Sequence, residues 1–202
     1  MNEKFFELKK EKQDRMINAA LKVFSQYGYN HASTDEIVKE AQISKGLLFH
    51  YFGSKIGMYA FLYDYATRFV TLELTANVDK NENGYFELYH QILSAETAAM
   101  AQYPYILLFL DKANEEVNQE ALAEISERRE KYQRIMNTLK DRADITMLAE
   151  GIDYQKLRNI LDYTIDGLLR KNIKNESFRA DFFMEEAEEY IELIKNMSIN
   201  RE

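Results

Sequence analysis

Ser33-Thr-Asp-Glu-Ile-Val-Lys-Glu-Ala-Gln-Ile-Ser-Lys-Gly-Leu-Leu-Phe-His-Tyr-Phe52 reads as two short helices separated by three residues. Ser33-Thr-Asp-Glu36 is a capping box: the Ser33 hydroxyl is expected to accept from the amide of residue 36, while Glu36 reaches back to the Ser33 amide. Ile37, Val38 and Ala41 then fall on one face of the first helix and are expected inward. Gln42-Ile-Ser44 breaks the pattern, and Ser44 is a natural N-cap for a second helix, Lys45 to Phe52. Gly53-Ser54 ends it. Two short helices joined by such a turn, behind a longer supporting helix, make a helix-turn-helix.

The supporting helix lies just upstream. Met16, Ile17, Ala20, Leu21 and Phe24 recur at three- and four-residue steps through Arg15–Tyr27, and Gly28 stands where a C-cap belongs. Downstream, a long helix is expected over about Lys55–Asn77. Further helices follow over Tyr85–Gln102, Pro104–Glu116, Gln119–Arg142, Tyr154–Lys174 and Asp181–Met197. Asn81–Gly84 and Asp144–Asp153 read as connections, and Pro104 as a first-turn proline. Seven Gly and one Pro in 202 residues are about 4%, against a usual combined share of about 12%. Such scarcity of chain-turning residues excludes a sandwich or barrel and favours long helices. The predicted class is all-α: an N-terminal three-helix domain over 1–54, then a helical domain over 55–202 whose first helix, 55–77, is the connection.

Composition removes several functions. There is no Cys, hence no disulfide, thiolate zinc site or cysteine nucleophile. His31, His50 and His90 share no ligand spacing on one helix, so no metal is expected. No GxGxxG or Walker-type loop occurs, no cofactor is implied, and no nucleophile–base–orienter set suggests an enzyme. The longest apolar run, Tyr105–Leu110, is far short of the roughly 20 residues that span a bilayer. With no signal-peptide pattern at the start, the expectation is a soluble, cytoplasmic protein without membrane attachment. Charge is uneven: residues 1–60 carry nine basic and seven acidic side chains, so the acidic excess behind the net charge of −8 lies beyond residue 60. A polyanion can therefore be met by the N-terminal part alone.

A helix-turn-helix reads DNA when its second helix presents small or polar side chains at its N-terminal end to the major groove. Lys45 and Gly46 meet that need, as a cation for phosphate or a guanine edge and a residue whose backbone can approach closely. Ser33, Thr34 and the turn after Ser44 lie at helix N-termini, whose free amides suit phosphate oxygens. Ile43, Leu48 and Phe52 are the expected filling between the helices.

Residues 15–65 resemble the DNA-binding domain of TetR/AcrR-family transcriptional regulators. The resemblance rests on Ala19-Ala-Leu-Lys-Val-Phe-Ser-Gln-Tyr-Gly28, Ser33-Thr-Asp-Glu-Ile-Val38, Ile43-Ser-Lys-Gly-Leu-Leu-Phe-His-Tyr-Phe52 and Ser54-Lys55. Four positions depart from the family's pattern. Gln42 stands where Gly is usual, in a turn expected to need a left-handed residue; Phe49 replaces a frequent Tyr; Leu47 replaces a small or hydroxylated base reader; Ile56-Gly57 replaces an acidic pair. The expected DNA contacts are Ser33, Thr34, Ser44, Lys45, Gly46, Leu47, His50, Tyr51 and Lys55. Leu47 is expected either at a thymine methyl or in the core, and Phe49 in the core.

The resemblance also implies a homodimer through the last two long helices. Leu157, Ile160, Leu161, Thr164 and Leu168, with Phe183, Ala187, Tyr190, Ile191 and Ile194, carry that expectation, although the same spacing suits ordinary core packing. It further implies an effector cavity among the middle helices, for which the aromatics Phe61, Tyr65, Phe69, Tyr89, Tyr103, Phe109, Tyr132 and Tyr163 are candidates. No buried cation is evident, so an apolar, aromatic or cationic effector is expected. The resulting expectation is a sequence-specific regulator, a repressor released from a palindromic double-stranded operator by a small molecule. The alternative is a helical ligand-binding or adaptor protein without operator recognition.

Overall fold

The structure, a computed structural model, describes residues 3–174 and 178–199. Among them a 3-10 turn (Glu3–Phe5) precedes nine α-helices: α1 Lys10–His31, α2 Thr34–Ala41, α3 Lys45–Phe52, α4 Lys55–Asn77, α5 Tyr85–Gln102, α6 Ile106–Asn114, α7 Gln119–Lys140, α8 Tyr154–Lys174 and α9 Ala180–Ser198. The only extended pairings described are the isolated bridges Gly84–Asp144 and Leu148–Ile199. No helix of the described residues is long and apolar enough to cross a membrane.

Helix ends follow local chemistry. α1 starts five residues before the expected Arg15 and runs past Gly28, but Gly28 has φ 65° and breaks it there, so the glycine still turns the chain. Pro104 precedes α6 instead of opening it, because Tyr105 is the flanking residue and Ile106 the first helical one. α2 ends in a Schellman motif. The amide of Ile43 donates to the Val38 carbonyl at 3.0 Å and that of Gln42 to the Lys39 carbonyl at 3.2 Å. That motif requires a left-handed residue, and Gln42 takes it with φ 53°.

Cα packing divides the chain into two units, 1–72 with 102–134 and 73–101 with 135–202; α4 and α7 each belong partly to both. This is a different partition from the 1–54 and 55–202 parts defined by the motif. The reason lies in α1, which packs against α2 and also against α6.

In the first unit, the whole predicted stripe of α1 is buried, with Phe24 edge-on to Tyr59 at 5.1 Å and facing Phe109 at 6.3 Å. Ile37, Ala41, Leu48 and Phe52 are buried beneath α2 and α3, whereas Val38 and Ile43 are half-buried. Arg15 Nε donates to the Ala41 carbonyl at 2.8 Å, tying the end of α2 to α1. Phe5 is fully buried. Its ring lies 5.1 Å from Phe52, 5.4 Å from Phe61 and 5.8 Å from Tyr51, so the chain start plugs the gap between α3 and α4.

In the second unit, Leu88, Ile92, Leu93, Ala95 and Ala99 of α5 are buried, as are Leu157, Leu161, Leu168 and Leu169 of α8 and Phe183, Ala187 and Ile191 of α9. Arg142 donates to the carbonyls of Asp79 and Lys80, which fastens the 79–84 turn to the end of α7.

Truncating a buried aromatic removes its transfer free energy and leaves a cavity. Phe5→Ala is therefore expected to lower unfolding stability by about 3 kcal/mol, read by denaturant titration as a fall in midpoint at unchanged slope. An effect under about 0.5 kcal/mol, the size of an ordinary surface change, would show that Phe5 does not hold α3.

Candidate nucleic-acid interface

The head has its own positioning chemistry. Ser44 caps α3: its hydroxyl accepts from the Leu47 amide at 3.2 Å, which aims the first turn, Lys45–Gly46–Leu47, outward. Ser33 caps α2, but the bond falls on the Asp35 amide at 3.2 Å, one residue earlier than expected. At the far end Gly53 has φ 75°, and the Ser54 hydroxyl accepts from the Gly57 amide at 3.1 Å to begin α4. A Cβ on Gly57 would lie 2.3 Å from the Phe52 carbonyl oxygen, a backbone atom that cannot swing aside. The departure from an acidic pair at 56–57 thus has a steric reason at its second position.

With Leu48 and Phe52 turned inward, the opposite face of α3 carries Lys45, Gly46, Phe49 and His50, all exposed, beside exposed Ser44. Leu47, Ser33 and Thr34 are half-buried at its edge. Two expectations are corrected here. Tyr51, a predicted contact, is buried, packed edge-on to Phe5 at 5.8 Å and to His50 at 5.0 Å; it shares the inward phase of Leu48 and Phe52. Phe49, expected in the core, is 36% exposed, three residues beyond Gly46 on the outward face. Helical phase set by Leu48 and Phe52 would have found both.

The cations are held but available. Lys45 Nζ lies 2.9 and 3.1 Å from the two carboxylate oxygens of Asp35, a pair with both side chains at least half exposed. Exposed pairs of this kind contribute about 0–1 kcal/mol, so a phosphate can displace Asp35 at little cost. Lys55 is tied to the end of α1 by a 3.3 Å bond to the Asn30 carbonyl and lies 4.8 Å over the Tyr29 ring. Burial lowers its pKa, partly offset by the Glu116 carboxylate.

The other expected residues separate. Six of the eight aromatics named for a cavity lie in the first unit. Phe61, Tyr65, Phe69 and Tyr103 stack ring on ring, Phe109 packs on Phe24, Tyr59 and Tyr63, and Tyr132 is buried. Phe61, Tyr103, Phe109 and Tyr132 fill core, the commonest fate of an aromatic stripe, while Tyr65 and Phe69 are half-buried at its edge. The Tyr65 and Tyr103 hydroxyls engage each other at 2.7 Å and Asp14 and Lys10. Tyr163, in the second unit, is 74% exposed and lines no cavity described there. Tyr89 alone of the eight borders one, a space of about 150 Å³ among α5, the end of α7 and α8. Lys140 lines that space and Arg158 an adjoining one, both half-buried.

Of the residues expected at a dimer interface, Leu157, Leu161, Leu168, Phe183, Ala187 and Ile191 are buried in their own unit and are core. Ile160 and Tyr190 are exposed, and Thr164 and Ile194 half-buried. Of the other exposed apolar side chains on α8 and α9, Phe182 and Leu193 were missed by sequence reasoning, Tyr163 was expected at the cavity, and Met197 shares the apolar rhythm of the last helix.

Against known proteins, residues 16–60 match the family described as bacterial regulatory proteins, tetR family. Over residues 16–60 the head is thus of the tetR type. The HTH-type transcriptional regulator YuxN of Bacillus subtilis is 48% identical over 59 residues, 27% of this chain and 20% of that relative. The chain thus matches about a fifth of that relative's length. Over nearly the whole chain the fold is shared with the ketosteroid transcriptional regulator KstR2 of Mycobacterium tuberculosis, at TM-score 0.70 and 15% identity over 96% of this chain and 97% of that one. It is also shared with FadR of Bacillus subtilis in complex with stearoyl-CoA, at TM-score 0.54 and 19% identity over 89% and 96%. At such identities the likeness is one of fold.

Gln42 offers a direct check on the turn. A left-handed L-residue costs about 1–2 kcal/mol, part of which glycine returns through its looser unfolded chain. Gln42→Gly in this TetR-family head is expected to raise stability by roughly 0.5–1 kcal/mol, seen as a higher Tm. A lower Tm would mean that the Gln42 side chain stabilises the turn.

Proposed function

We propose that this chain is a homodimeric, sequence-specific DNA-binding transcriptional regulator, a repressor released from its operator by a small molecule. One observation carries the DNA-binding part: a capped α3 whose outward face presents Ser44, Lys45 and Gly46, with Phe49 and His50 following one turn on. Free amides at the starts of α2 and α3, beside Ser33, Thr34 and Ser44, suit phosphate oxygens. Gly46 has open space where a side chain would stand, which lets the backbone near a base edge. Lys45 exchanges Asp35 for phosphate. Phe49 and Leu47 offer apolar contact to a thymine methyl. Lys55 remains a candidate phosphate contact on leaving Asn30.

A dimer is supported by the apolar side chains left in water on α8 and α9. Ile160, Tyr163, Phe182, Tyr190, Leu193 and Met197 are each more than 40% exposed. On α9, the steps between Tyr190, Leu193 and Met197 keep them on one helical stripe. A second copy of the chain is the occupant proposed for that face, and a two-fold protein reads a two-fold operator. Release requires an effector that binds the DNA-incompetent conformer more tightly, and it shifts the population by no more than that difference. The stearoyl-CoA complex of the fold neighbour FadR supports an effector site in this fold.

The test is selection of bound fragments from random and genomic DNA, followed by titration of the enriched site against salt. The expected product is an inverted repeat with half-sites about 34 Å apart, one helical turn. No enrichment at low salt from protein stripped of small molecules would overturn the reading. Lys45→Ala is expected to weaken the selected site and to lower the salt slope by about one unit. An unchanged slope would remove Lys45 from the phosphate contacts.

A further inference from the structure

In the second unit, one carboxylate without a hydrogen bond or ion pair among the described residues lines a cavity walled by apolar and charged side chains together. Glu96 of α5 lines the 150 Å³ space together with Tyr89, Ile92 and Leu93 of the same helix, Lys140 of α7 and Asp162 of α8. Asp162 is amply engaged. The Tyr89 hydroxyl donates to it at 3.2 Å, Lys140 Nζ lies 3.9 Å from one oxygen and Arg158 Nε 3.9 Å from the other. Among the described residues, Glu96 makes no hydrogen bond and no ion pair. Burial raises its pKa; Lys140 acts against that shift and Asp162 adds to it.

A second unsatisfied group stands next to it. A smaller space of about 20 Å³, bordered by Tyr85 and Arg158, shares Tyr89, Ile92 and Lys140 with the larger one. The Tyr85 side chain is 96% buried, and its hydroxyl has no hydrogen-bond partner in the structure. Buried polar groups are nearly always paired, so the orphaned Tyr85 hydroxyl, beside a half-buried Glu96 that lines the adjoining cavity, points to a missing polar occupant. An empty cavity lined only by Leu, Ile and Phe would carry no such signal.

The charges choose the occupant's sign. Lys140 and Arg158 are already turned to Asp162, so an anion would have to draw them away and then lie beside the Glu96 carboxylate. A cation would share Glu96 with Lys140, which already acts on that carboxylate, and the Tyr89 ring and Ile92–Leu93 offer its body an apolar wall. In volume the space matches a cavity that admits a benzene-sized molecule.

We propose that this cavity binds a small organic monocation, a protonated amine on an aromatic or short aliphatic body, whose ammonium group pairs with Glu96. The proposal rests on the regulator reading only for its consequence: the amine is the effector class.

The probes are benzylamine, benzyl alcohol and benzoate, which share one ring and differ in charge, each titrated calorimetrically into the full chain. Benzylamine is expected to bind at least tenfold more tightly than benzyl alcohol, the usual gain of a charge-assisted bond, and benzoate most weakly. Equal binding of amine and alcohol, tighter binding of benzoate, or no binding of the amine overturns the proposal in the unaltered chain. Glu96→Gln keeps shape and loses charge, and it is expected to reduce benzylamine to the level of benzyl alcohol while leaving the alcohol unchanged. Full affinity for the amine in that variant would remove Glu96 as the reader. Operator affinity measured with and without saturating benzylamine separates the two readings. Amine binding with unchanged operator affinity overturns the effector role and leaves the cation site; operator binding by a chain that ignores the amine does the reverse.

Discussion

The corner between α3 and α4 allows the chain almost no freedom, and the reading head depends on it. Phe52 ends one helix while its carbonyl blocks any Cβ at Gly57 of the next. Gly53 turns the chain at φ 75°, and Ser54 caps the helix that follows. The rings of Phe5, Phe52 and Phe61 close the inner side of the same corner within 5.1–5.4 Å of one another. An exposed α3 with a weak apolar face of its own is held in place this way from behind, by sterics and dense packing. Its outward face leaves Lys45, Gly46, Phe49 and His50 exposed, with Lys45 held on Asp35.

Charge at the head is arranged for exchange more than for attraction. A stretch with only two more basic than acidic residues has little long-range pull on a polyanion. Its cations are instead placed locally, Lys45 on Asp35 and Lys55 over Tyr29. Both are weak, partly solvated holds that orient the side chain before a phosphate arrives. Affinity would then come from a few well-aimed contacts and helix N-terminal amides, with a salt slope set by the small number of cations that meet phosphate.

The second unit shows how one helix serves two faces. α8 and α9 each bury an apolar stripe in their own unit and leave another in water, Leu161 against Tyr163 and Ile191 against Leu193. Periodicity alone gives the same mark to both, because residues two apart point to different sides while each stripe keeps its three- and four-residue steps. Which stripe faces inward is decided by the packing of α8 against α9.

The sequence by itself determined the helices, nearly to the residue for α2, α3 and α5, because capping residues and apolar steps are local signals. It also determined the helix-turn-helix and, through the run from Ala19 to Lys55, the likeness of the head to tetR-family regulatory proteins. The left-handed turn at Gln42 was legible through the resemblance, which has Gly at that position. Only the tertiary structure decided whether an apolar or aromatic side chain is core or surface: it put Tyr51 inside and Phe49 outside, and made Phe61, Tyr103, Phe109 and Tyr132 filling. It alone brought Phe5 under α3 and set Glu96 beside Tyr89, Lys140 and Asp162, residues separated by up to 73 positions. Those meetings depend on how whole helices pack, where burial area and steric fit among distant residues outweigh any local preference.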